Sequence, residues 1–114
     1  HQVQARPSLI ARLRSADLLI CTGAELEIGW LPLLLLQSAN GAVQAGSPGY
    51  LEASATVQRL EIPSQVDRAQ GDVHASGNPH IQTDARNFSI YSSHAVQAVI
   101  NARLMRQLSA SQAR

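Results

Sequence analysis

Lysine is absent from this chain, and all nine of its basic side chains are arginine. We read that as compositional bias, because eight acidic residues balance the arginines to a net charge of +1. With only 15% charged residues there is no basic stripe for nucleic acid and no acidic tail. One cysteine, Cys21, excludes an internal disulfide and reads, within its apolar run, as a small buried hydrophobe. The run Leu31–Leu36 is far shorter than the roughly 20 residues that a membrane-spanning helix needs. No apolar segment of the signal-peptide kind follows His1, so the sequence reads as processed or as a fragment. Also missing are a P-loop, a dinucleotide fingerprint and a Gly-x-Ser-x-Gly elbow around Ser8, Ser76 or Ser89.

What remains is 45% hydrophobic residues over 114 positions, enough for the core of one domain. After Pro7-Ser8, the residues Leu9, Ile10, Leu13 and Ala16 fall at helical spacing, which predicts a helix over Leu9–Ser15. The continuous apolar run Leu18–Cys21, closed by Thr22-Gly23, predicts a strand buried on both faces of a parallel sheet. A second helix is expected from Glu27–Trp30 through Leu36, with Pro32 tolerated in its first turns and an end at Ser38–Gly41. Helix, buried strand, helix is an α/β rhythm, with a mainly parallel sheet. Turns follow at Asn40-Gly41, Gly46–Gly49 and Ser64–Asp67, and Val57–Ile62 reads as a short strand stopped by Pro63. Thr83-Asp84 resembles a helix start, yet Phe88–Tyr91 alternates like a strand. A helix is therefore expected only from Ser93, with an apolar stripe of Val96, Val99, Ile100, Leu104 and Leu108.

The chemistry concentrates in Gly71–Asp84, where His74 and His80 sit among glycines, a proline and turn-forming polar residues. Histidine is the commonest side-chain ligand of transition metals, and turn residues around it hold the backbone in one shape. Spacing alone leaves two readings of Asn78-Pro79-His80 open, a metal ligand or a structural turn. His94 reads as a capping or surface residue. Glu25 and Glu27 follow the first strand, where α/β proteins place functional groups; their plainer reading is acidic residues favouring the positive end of the next helix.

His1 ahead of Pro7-Ser8, the run Ala16–Glu27 and Gly77-Asn78-Pro79-His80 together resemble the cluster A-I periplasmic metal-binding proteins, the receptors of zinc and manganese ABC importers. The resemblance covers His1–Asn87, with 88–114 a divergent segment ending in an amphipathic helix, a candidate start of a linker helix. It implies one lobe of a two-lobed α/β receptor with a metal between lobes. It also implies that His1 and His80 are metal ligands, with the rest supplied by a second lobe outside this chain. His74 becomes an accessory ligand and Asn78 an outer-sphere partner that orients the imidazole.

The implied function is capture and delivery of Zn2+, with Mn2+ second, to an importer permease on the extracytoplasmic side, without enzymatic chemistry. Nitrogen ligands favour zinc over harder ions. Two rivals are a copper-dependent oxidative enzyme, chelating through His1 and the α-amino group, and an incomplete, non-functional receptor fragment. Faces left bare by the absent lobe would favour self-association.

Overall fold

The computed structural model describes residues 4–64, 69 and 74–113. His1, most of the turn expected at Ser64–Asp67 and the first positions of the histidine loop (71–73) lie outside the described residues.

Helix α1 spans Pro7–Arg14 and begins at the proline itself, whose missing N–H costs nothing at a helix start. Leu13 is its buried residue, and Arg12 and Arg14 complement the carbonyl end. Strand β1 (Leu19–Cys21) follows, then a run of turns, then α2 (Leu31–Ser38), which buries Leu31, Leu34, Leu35 and Ser38. Proline stands in the first turn of α2, and Ala39 ends the helix in a left-handed conformation at φ 51°. Strand β2 (Tyr50–Glu52) runs parallel to β1, pairing Leu19 with Tyr50, Ile20 with Leu51 and Cys21 with Glu52. The α/β architecture expected from the sequence is therefore present, with one short parallel pair as its sheet among the described residues.

The core gathers Leu13, Cys21, Leu31, Leu34, Leu35 and Val43, with Leu9, Ile10, Trp30 and Tyr50 packed around it. Each large apolar side chain so buried contributes about 1.5–3 kcal/mol. Asn40 locks the halves together. Its Nδ2 donates to the carbonyls of Leu13 and Ala16 at 2.8 Å each, and its Oδ1 accepts from Ala42 N–H at 3.0 Å. Asn40→Ala leaves the two carbonyls and one N–H without these partners and is expected to cost about 2 kcal/mol in urea denaturation.

Two sequence expectations fail in this region. Val57–Ile62 forms no strand; the segment instead lies beside the histidine loop, with Leu60 and Ile62 exposed. Phe88–Tyr91 is not a strand either, and the last helix does not wait for Ser93. Helix α3 runs unbroken over Ala85–Gln112. Asp84 caps it by accepting from Arg86 N–H at 2.9 Å, and a capped start outweighs a four-residue alternation that fits helix as well as strand. The small residues Ala95, Ala98 and Ala102 are half-buried, whereas the stripe Val96, Val99, Ile100, Leu104 and Leu108 is exposed. His94 is exposed on the same helix, as expected of a surface residue. None of the described helices is long and apolar enough to cross a membrane.

Candidate metal centre

The Asn-Pro-His turn is held by main-chain and side-chain hydrogen bonds together. Gly77 takes φ +90°, and a Cβ there would sit 2.8 Å from Leu60 O and 2.9 Å from Ile62 Cγ1, so only glycine fits this close approach. Asn78 N–H donates to Leu60 O at 2.9 Å, and Asn78 Nδ2 donates to Glu61 Oε2 at 2.8 Å. Asn78 Oδ1 accepts from His80 N–H at 2.9 Å, the turn that asparagine forms with the residue two positions on. The His80 carbonyl in turn accepts from Thr83 N–H at 3.1 Å and Thr83 Oγ1 at 2.7 Å. Pro79 is fully buried and Ile81 is buried, while His80 between them is exposed. The backbone that carries the exposed His80 is thus fixed by its neighbours.

His80 borders a recess of about 50 Å³ shared with Asn78, Thr83 and Asp84. Asp84 is engaged by Arg86, whose guanidinium bonds both carboxylate oxygens at 2.8–3.2 Å and holds the carboxyl below its ordinary range. His74 is half-buried; its carbonyl accepts from Gly77 N–H at 3.1 Å, closing the loop just ahead of the turn. Among the described residues no three of His, Cys, Asp and Glu converge as a complete metal site. His80 and Asn78 are therefore placed and joined. His1, expected as the second ligand, lies outside the described residues.

A larger cavity of about 390 Å³ opens at the carboxyl ends of β1 and β2 and reaches the loop at Ser76. Gly23, Ala24 and Glu25 take φ 80°, 48° and 68°, a run of left-handed residues rare outside glycine. Carboxylates hold this turn. Glu27 accepts from the N–H groups of Thr22 and Gly23 at 2.9 Å each, and Glu52 accepts from Ala24 N–H at 3.3 Å and Ser54 Oγ at 3.0 Å. The plainer reading of Glu27, a charge at the start of the following helix, is thereby corrected, since α2 starts at Leu31 with no side-chain cap. Behind the turn, Cys21 Sγ donates to Tyr50 Oη at 3.3 Å, and burial pushes both the thiol and the phenol upward. Cys21 is thus the small buried residue its apolar run suggests, with a polar partner added.

Glu52, Tyr50 and Glu61 were not singled out by sequence. The first two sit on a three-residue strand too short to show a period, and Glu61 acts from a segment that reads as a strand. Comparison with known families gives the framework for these parts. A model of the family described as zinc-uptake complex component A, periplasmic (ZnuA), matches residues 1–106. The match thus runs past Asn87 and through most of α3. No curated protein and no solved structure matches the chain. Matched over nearly its whole length, the chain belongs to this family, the solute-binding proteins of zinc and manganese ABC importers.

Proposed function

We propose that the chain captures zinc through the imidazoles of His1 and His80 and passes it to an ABC-importer permease. The family supplies the coarser statement, a periplasmic divalent-metal-binding component of an ABC importer. Its members bind metal rather than transform it. The observation that carries the finer reading is the clamped turn, in which His80 is exposed between buried Pro79 and Ile81 with its N–H and C=O both tied. A ligand held this way loses little conformational freedom on binding, so most of the metal–nitrogen attraction is retained. Neutral imidazole is a nitrogen ligand that suits zinc. His74 is left an accessory role, and Asn78 orients the loop rather than touching the ion. The copper-enzyme rival sits poorly on this α/β frame, since the scaffolds it resembles are all-β.

Calorimetric titration of the chain with zinc tests the assignment. His1→Ala and His80→Ala are each expected to weaken binding by about a hundredfold, the upper range for losing a group that holds a metal or its ligands. Unchanged binding in either variant removes that residue from the site. Blocking the α-amino group is expected to leave zinc binding intact, whereas the copper reading requires that nitrogen.

A further inference from the structure

We propose that Glu61 is a positioning residue of the metal site, one that decides which way the Asn78 amide faces and thereby sets the main chain carrying His80. The inference rests on His80 being a zinc ligand. An asparagine amide offers an acceptor on one side and two donors on the other, and the two orientations differ only in what they meet. On one side stands His80 N–H, which can only donate; on the other stands the Glu61 carboxylate, which can only accept. With Nδ2 on Glu61 and Oδ1 on His80 both contacts are favourable, at 2.8 and 2.9 Å. Reversing the amide would set oxygen against oxygen and N–H against N–H, so Glu61 and His80 select the same orientation from opposite ends.

Glu61 reaches Asn78 from a strained main chain. Its φ is +55°, a conformation that residues other than glycine seldom adopt and that persists only where the surroundings impose it. Here the surroundings are the loop itself. Asn78 N–H bonds the carbonyl of Leu60, and Gly77 lies flat against Leu60 and Ile62. Three successive residues, Leu60 to Ile62, thus grip Gly77 and Asn78 without forming a sheet ladder. The segment is better described as a clamp on the histidine turn than as a failed strand. Chemistry then follows from connectivity. Glu61 holds the Asn78 amide, Asn78 holds His80 N–H and Thr83 holds His80 C=O, so the main chain that carries the imidazole is set from both sides.

The test uses the full chain and zinc. In Glu61→Gln the side chain can offer either an oxygen or an NH2 group, so the Glu61 end no longer selects the amide orientation and only His80 N–H is left to do so. The His80 amide is expected to lose hydrogen-exchange protection in the metal-free protein, and the zinc Kd to rise about fivefold, the worth of one hydrogen bond. The thermal midpoint of the metal-free chain should stay unchanged. A reversed pair provides the rescue. Asn78→Asp alone faces Glu61 with a second carboxylate and should bind zinc more weakly than the native chain. Adding Glu61→Gln gives a donor to one oxygen of the new carboxylate, leaves the other for His80 N–H, and restores the native charge. The double variant should return to within about twofold of the native Kd. Native amide protection and affinity in Glu61→Gln, or a double variant no better than Asn78→Asp, would overturn the role. If His80→Ala binds zinc as tightly as the native chain, the ligand reading itself fails, and that outcome is distinct because it is read without touching Glu61.

Discussion

Gly49→Ala is expected to destabilise the fold by about 3 kcal/mol or more, the upper end of the cost of forcing extra volume into a packed site. A Cβ at this position would run into the carbonyl oxygens of Ala42 and Asp17, both backbone atoms that no side-chain rotation can clear. Those carbonyls belong to the 3-10 turn Gly41–Val43 and to the residue that leads into β1, and Gly49 O accepts from Leu19 N–H at 2.7 Å to start the parallel pair. Relief of the clash must therefore move either the turn over buried Val43 or the register of β1 on β2. Gly41→Ala supplies the control. Nothing lies within 4 Å of its Cβ position and its φ is ordinary, so alanine should be neutral or stabilise by a few tenths of a kcal/mol through the unfolded chain. Urea denaturation of the two variants side by side reads the contrast, and equal midpoints would mean that Gly49 is not at a contact point.

The same close approach explains why half the sheet could not be read from sequence. β1 announces itself as an unbroken apolar run, but the burial on both faces expected from that run is not found. Cys21 is buried while Ile20 is exposed, on a sheet of only two strands among the described residues. β2 is the three residues Tyr50–Glu52, half-buried throughout, and its place is set by the glycine that lets the chain pass Ala42 and Asp17. No periodicity survives in three residues, whereas Val57–Ile62, with more strand-like residues, has no strand partner among the described residues. The start of helix α3 is hidden in the sequence for a related reason. Phe-Ser-Ile-Tyr matches a strand period locally, but the Asp84 cap and the following long helical pattern decide the segment together. Its small alanines lie nearer the lobe and its large apolar residues outside, which no single-sequence pattern distinguishes from the reverse.

At the candidate site, the residue types were legible and their linkage was not. Asn78-Pro79-His80 marked a turn that carries a histidine, and the turn is there, with the asparagine bonding two residues on. The partner that fixes the amide, Glu61, lies seventeen residues earlier in a segment whose own pattern reads as a strand. Sequence spacing gives local turns; it does not give which distant carboxylate closes them.

The turn after β1 yields the second large effect, and it separates two explanations of one residue. Glu27→Ala is expected to cost about 3 kcal/mol, because two charge-assisted bonds to the N–H groups of Thr22 and Gly23 are lost together. The informative variant is Glu27→Gln. Were Glu27 merely a negative charge near a helix start, glutamine would lose about 0.3–1 kcal/mol, and added salt would shrink even that difference. In the observed geometry each carboxylate oxygen takes one N–H at 2.9 Å. Glutamine keeps one acceptor but turns its NH2 group against the other N–H, so it should cost nearly as much as alanine and respond little to salt. Without the two bonds the left-handed run Gly23-Ala24-Glu25 keeps the Glu52 contact to Ala24 N–H and the turn bonds from Leu26 N–H to Gly23 O and from Ile28 N–H to Glu25 O. None of these ties the N–H groups of Thr22 and Gly23 to a carboxylate. Urea midpoints for both variants at low and high salt decide the matter: a mild, salt-sensitive Gln variant would assign Glu27 to the helix start, and a severe, salt-insensitive one to the turn.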